Sequence, residues 1–160
     1  MLTYGFRCEE GLEAMKPLHF RGKALTVKEP WASAIAYAGK NIENRNWYTH
    51  YRGPLAIHAG AAFDADELEH PFRQIRGGPK KTLAQWIRQG LKRHWSDFDE
   101  LITPSHFVAI VMLVDCVDRS SSPWFGGEWG WVLEGTVPIE PVPCKGNLGL
   151  WDCKFVYKPV

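Results

Sequence analysis

Apolar and polar positions alternate along this chain in two rhythms, one helical and one extended. From Trp31 the spacing i, i+3, i+4, i+7 gathers Trp31, Ala34, Ile35 and Ala38 on one helical face. Pro30 suits a first helical turn, where its missing N–H leaves nothing unpaired. Gly39 stands where a C′ glycine would end the helix. A second stripe, Leu83, Trp86, Ile87, Leu91 and Trp95, predicts a helix over residues 80–95. Gly90 weakens that helix by on the order of 1 kcal/mol relative to alanine. Asp64 with Glu67 three residues on resembles a capping box. A helix is therefore predicted over residues 64–76, broken or kinked at Pro71 and stopped by Gly77-Gly78-Pro79.

The extended rhythm predicts strands at residues 23–27, after the Arg52-Gly53-Pro54 turn, and from His106 onward. In the second of these Leu55, Ile57 and Ala59 share the core face, which leaves His58 on the opposite, non-core face with Ala56. The run His106–Val117 is almost continuously apolar and rich in β-branched residues, so it reads as a central strand buried on both sides. Residues 130–137 read as another strand. Pro138, Pro141 and Pro143 limit 139–144 to an edge or irregular strand, and 154–158 is the last. Residues 1–19 are weakly patterned, a short helix around 9–15 or a loosely docked extension. The sum is an α+β fold, a small β-barrel of about six strands with helices packed around it, in one domain over residues 1–160 with 1–20 as an N-terminal extension.

One segment breaks both rhythms. Residues 41–47 bury almost nothing, and if extended they place Glu43, Arg45 and Trp47 on one face and Ile42, Asn44 and Asn46 on the other. A core strand is not written this way, whereas a strand lining a site is. The segment brings an ammonium (Lys40), a carboxylate (Glu43) and a guanidinium (Arg45) close to a helix end that carries Trp31. Such a trio suits holding a flipped or single-stranded base, with Glu43 accepting from an exocyclic amine and Arg45 or Lys40 on phosphate. It equally suits catalysis, with Lys40 as nucleophile or acid and Glu43 as base. A solvated ion pair worth about 0–1 kcal/mol is the plain alternative.

Charge and composition narrow the partners. A formal net charge of +1 gives no bulk attraction to a polyanion, so only local clustering can. Arg73, Arg76, Lys80, Lys81, Arg88, Lys92 and Arg93 follow one another without an intervening acid. A solvated helix face ordinarily mixes signs, so this run favours a nucleic-acid backbone. Trp124 and Phe125, enclosed by Ser120-Ser121-Ser122-Pro123 and Gly126-Gly127, either stack on a base or tuck under the barrel rim. His58 lies beside the polar segment, as a ligand contact or as a packed, hydrogen-bonded histidine. The cysteines Cys8, Cys116, Cys144 and Cys153 lack C-x-x-C spacing and read as free thiols of a reducing compartment. The histidines have no ligand spacing, so neither metal nor cofactor is expected. No signal peptide or membrane span is legible, which predicts a cytoplasmic protein, or a nuclear one in a eukaryote, acting as a monomer.

Taken together, Pro30-Trp31-Ala32-Ser33, Gly39-Lys40-x-x-Glu43-x-Arg45, Trp47-Tyr48-Thr49 and Arg52-Gly53-Pro54-Leu55-x-Ile57-His58 resemble the ASCH family, named for activating signal cointegrator homology. Its signature is G-x-K-x-x-E-x-R, and here Gly39 stands one place closer to the lysine. Trp124-Phe125-Gly126, Gly130-Trp131-Val132-Leu133 and Pro143-Cys144-Lys145-Gly146-x-Leu148-Gly149 also resemble the tail of single-domain members. The resemblance implies a PUA-like barrel with an RNA- or nucleic-acid-binding cleft between barrel and first helix. Family members are associated with coactivation, nucleic-acid binding, ribonuclease activity and hydrolysis of acylated cytidine. In the hydrolase branch the catalytic lysine maps to Lys40, but the threonine three residues later is Glu43 here. The expected ligand is RNA or another single strand, with DNA as an alternative. It would be met by Trp31, Lys40, Glu43, Arg45, Trp47, Arg52, His58, Trp124 and the basic run. A metal-independent hydrolase in the same cleft and a protein-interaction module built on exposed tryptophans are the other two readings.

Overall fold

The computed structural model describes residues 16–72, 78–91 and 104–160. Its main sheet takes six strands in the order β2-β7-β6-β3-β1-β8, namely β1 Leu18–Glu29, β2 Ile42–Arg45, β3 Gly53–Phe63, β6 His106–Val117, β7 Trp129–Pro143 and β8 Leu150–Tyr157. Between them lie α1 Trp31–Tyr37, α2 Ala65–Leu68, a two-stranded ribbon of β4 Pro71–Phe72 and β5 Lys81–Thr82, and α3 Leu83–Leu91. β1 and β3 run parallel, with α1 and β2 in the crossover, and every other pair is antiparallel.

The α+β class and the six strands agree with the pattern of the sequence, while the expected barrel is corrected. β2 and β8 are the two edges, and no ladder joins them. The sheet nevertheless curls: Ile139 on β7 bridges Pro159 beyond the end of β8, and the Glu140 N–H donates to the Lys158 carbonyl at 2.8 Å. β2 is only four residues long and cannot reach far enough to close a cylinder.

Two cores follow from this curl. The larger joins α1 and α3 to the sheet through Leu25, Val27, Ile35, Ile57, Leu83, Ile87, Leu113 and Trp131. The smaller lies on the opposite face around Phe20, Ala24, Ala56, Phe107 and Ile139. Its presence corrects the reading of His58: the face shared with Ala56 is a second core, and His58 is 1 % exposed. α1 and α3 meet at Gly90, where an added Cβ would stand 1.6 Å from the Tyr37 carbonyl oxygen.

Several boundaries moved. α2 stops at Leu68 and Pro71 opens a strand, since proline lacks the N–H that a continuing helix needs. The Asp64 carboxylate pairs with Lys28 at 3.0 Å and makes no cap hydrogen bond, so no capping box forms there. One does form at α3: the Gln85 N–H donates to Thr82 Oγ1 (3.2 Å), and the Thr82 N–H donates to Gln85 Oε1 (2.9 Å). That box starts α3 at Leu83 rather than at 80; residues 92–95 of the expected helix, and 73–76 of the one before it, lie outside the described residues. The strands expected at 130–137 and 139–144 are one strand, β7, kept against β6 by register shifts. Its prolines are tolerated because β2 covers only Trp129 to Val132 of its other side. β6 is central, yet Met112 and Val114 are exposed, so only its first half is buried on both faces.

Candidate nucleic-acid cleft

The turn after α1 delivers the lysine. Gly39 adopts φ +70°, a left-handed conformation that favours glycine. The Lys40 N–H then returns to the Ala34 carbonyl at 3.2 Å. The side chain is carried inward, 4 % exposed. At the other end of α1 the Glu29 carboxylate, fully buried, accepts from the Ser33 N–H (3.1 Å) and from Ser33 Oγ (2.9 Å). Burial raises the Glu29 carboxyl above the ordinary range, and these two hydrogen bonds oppose the rise.

β2 supplies the rest of the trio. Lys40 Nζ donates to the Ile42 carbonyl and to Glu43 Oε2, the latter at 2.6 Å. Glu43 Oε1 faces Arg45 Nη2 at 3.4 Å. Arg45 Nη2 donates to the Thr26 carbonyl at 2.8 Å, and Arg45 Nε is buried with no hydrogen-bond partner among the described residues. The carboxylate is thus clamped between two cations. Lys40 also lies 5.9 Å from the centroid of the Trp31 ring. Above this floor opens a cavity of about 290 Å³, lined by Trp31, Lys40, Glu43, Asn44, Phe72, Pro123, Trp124, Phe125 and Gly126.

Asn44 builds the far wall, and sequence reasoning missed it. Its Nδ2 donates to the Trp124 carbonyl (2.9 Å), and its Oδ1 accepts from the Gly126 N–H (3.0 Å). One side-chain amide thereby holds the Trp124-Phe125-Gly126 loop as a neighbouring strand would. Ser122 Oγ donates to Asn41 Oδ1 at 2.7 Å and fixes the loop's start. Phe72 was also missed; its ring lies 4.1 Å from that of Trp124. Asparagine after a charged residue in a strand gives no signal of its own, because the loop it binds is 80 residues away.

Of the residues expected from sequence, Trp31, Lys40, Glu43 and Trp124 line the cavity and Arg45 adjoins it. Trp124 is buried, an inner wall rather than an exposed platform. Trp47 stands edge-on to Trp131 in the core, with ring centroids 4.6 Å apart. Arg52 is engaged elsewhere, by the Thr49 and Tyr51 carbonyls and Asp115. His58 sits behind Thr26: its Nε2 donates to the Cys144 carbonyl at 2.7 Å, and its Nδ1 faces Thr26 Oγ1 at 3.3 Å. Burial pulls the imidazole below its ordinary value, against the raising effect of the Cys144 carbonyl. Of the basic run, Lys80 and Arg88 are exposed, and Lys81 donates to Gln89 Oε1 and covers the Trp86 ring at 4.8 Å. Trp86 in turn donates to the Phe72 carbonyl, tying α3 to the cavity wall. Arg73, Arg76, Lys92 and Arg93 lie outside the described residues.

The ASCH domain model matches residues 25–125, more than half of the 160-residue chain and nearly all of the cavity lining. The chain belongs to the ASCH family. This ASCH domain is similar to activating signal cointegrator 1 of Homo sapiens, 40% identical over 60 residues, which is 35% of this chain and 10% of that protein. The Mus musculus protein of the same name is 37% identical over a stretch of the same length. The chain therefore spans about a tenth of the length of these curated relatives. Among the described residues no helix is long and apolar enough to cross a membrane.

Proposed function

We propose that this chain is a monomeric, PUA-like ASCH domain that binds single-stranded nucleic acid, RNA above all, and seats one base in the cavity beside Trp31. The observation carrying this reading is the clamped Lys40–Glu43–Arg45 chain at the floor of an aromatic-walled cavity of about 290 Å³. Aromatic walls stack on any base. Each Glu43 oxygen faces one cation and keeps a second lone pair to accept from an exocyclic amine, and the neighbouring guanidinium suits phosphate. Lys80 and Arg88 extend the positive surface from the ribbon onto α3.

Titration of tryptophan fluorescence with short oligonucleotides tests the reading. Trp31→Leu should weaken binding by about 1–3 kcal/mol for the lost stack, roughly a 5- to 150-fold change. Affinity should also fall steeply with added salt. Binding that ignores ionic strength, or an unaffected Trp31→Leu protein, would overturn it.

The hydrolase reading fits the same residues less well. Each Glu43 oxygen already faces a cation, so the carboxylate must be released before it can act as a base. Incubation with RNA and with acylated cytidine in chelator separates the two. Turnover abolished by both Lys40→Ala and Glu43→Ala favours the enzyme, and turnover that survives both points to contamination.

A further inference from the structure

A second charged surface lies on β1 and β8, away from the cavity. These strands run antiparallel with Arg21 opposite Lys154 and Lys23 opposite Asp152. Side chains directly opposite in such a pair share a face, and like charges so placed repel. Lys23 and Asp152 neutralise one another at 2.9 Å. Arg21 and Lys154 are both exposed, and among the described residues neither joins an ion pair. His19 continues the face on β1 and Lys158 follows at the end of β8, both exposed. A concavity of about 570 Å³ opens here, lined by Arg21, Gly22, Asp152, Cys153 and Lys154.

Edge strands often carry lysine to discourage pairing with other chains. That device needs a cation on the outermost strand, β8, and does not account for a guanidinium facing it from β1. Two facing cations over a hollow, their local acid already spent on Lys23, are arranged for an anion from outside. We propose that this strip takes the phosphodiester backbone of the strand whose base occupies the cavity, an inference that rests on the nucleic-acid reading above. Alternate residues on one face of a strand are about 6.8 Å apart, a separation comparable to successive phosphates of an extended single strand. β1 itself connects the two surfaces. Thr26, whose carbonyl holds Arg45, lies five residues beyond Arg21, about 17 Å along the strand. An acidic peptide added to β8 would instead draw its affinity from main-chain hydrogen bonds at the strand edge, which these outward side chains do not make.

The test is the salt dependence of binding for the full chain carrying Arg21→Gln and Lys154→Gln together. With an oligonucleotide of about 16 residues, the upper site size of a single-strand-binding fold, the slope of log K against log salt should become shallower. Two lost phosphate contacts predict a change of about 1.4, at roughly 0.7 each. A mononucleotide, which reaches only the cavity, should bind the double variant as it binds the parent. An unchanged slope overturns the strip, as does polyglutamate binding that the two substitutions abolish while oligonucleotide binding is kept. If the cavity reading alone fails, Trp31→Leu has no effect while the double variant still flattens the slope. If the strip alone fails, Trp31→Leu weakens binding and the slope stays put.

Discussion

Lys40 and Glu43 are the residues whose loss should be felt most, for stability as well as ligand. Their side chains are 3% and 10% exposed; removing Glu43 leaves the Lys40 charge buried without an acid, and removing Lys40 leaves Glu43 only the Arg45 guanidinium at 3.4 Å. Glu43→Leu or Lys40→Met alone should lower the unfolding free energy by about 3–5 kcal/mol in urea titrations. The two together should recover much of that loss, since a well-packed apolar pair of similar volume is often no worse. His58 gives a pH signature of known sign. Its folded-state value lies below the ordinary 6.5, so the unfolded chain binds the proton more readily in the window between the two. Stability is then full above about 6.5 and is lost as pH falls through the folded value. His58→Gln should flatten that acid limb when urea midpoints are compared from neutral pH downward. Spacing made Glu43 and Arg45 legible as neighbours on one face of a strand, whereas Lys40, three residues before Glu43, reaches them only through the turn at Gly39. The surroundings of His58 were not legible. Small residues such as Ala56 can face solvent or a core, and only the rings of Phe107 and Trp151 packed against His58 decide which.

At the scale of elements, Gly90 reverses a sequence-based expectation. Helix propensity alone makes alanine better there by on the order of 1 kcal/mol. The contact with the Tyr37 carbonyl makes it worse, because a methyl 1.6 Å from that oxygen forces α3 away from α1. Gly90→Ala should therefore destabilise by at least the 1–3 kcal/mol typical of overpacking, read as a lowered thermal midpoint. Helical periodicity showed α3 correctly as amphipathic, but α1 is buried all round from Ala32 to Tyr37 rather than on one face, and periodicity could not show that the two touch through bare backbone. The same limit explains β7. Prolines in a sequence mark lost donors, and whether the lost donor faces a partner or open space depends on a neighbour that local pattern does not name. α3 began at the first residue of its stripe, Leu83, rather than at the expected residue 80, because the Thr82–Gln85 box sets the helix start after the lysine pair.

For the molecule as a whole, family membership and the cavity coincide, since the match from residue 25 to 125 runs from the strand that anchors Arg45 to the loop that walls the cavity. Five of the six strands were legible from alternation and turn residues, with β7 read as two, whereas β2 was read only as a polar segment and the way the sheet ends was not legible. A barrel and a curled open sheet have the same strands and differ only in whether two edges meet. Here the sheet is curled by the Ile139–Pro159 bridge, from β7 to the tail of β8, and by the guanidinium of Arg45, which crosses from the β2 edge to the Thr26 carbonyl on β1. That crossing makes Arg45 a clasp as well as a neighbour of the cavity. On the nucleic-acid reading proposed above, a phosphate that claims the guanidinium would unfasten it from Thr26, so occupancy would be felt at the seam of the sheet. Amide exchange at the β1 end of the seam should quicken with ligand rather than slow, the reverse of what simple coverage produces.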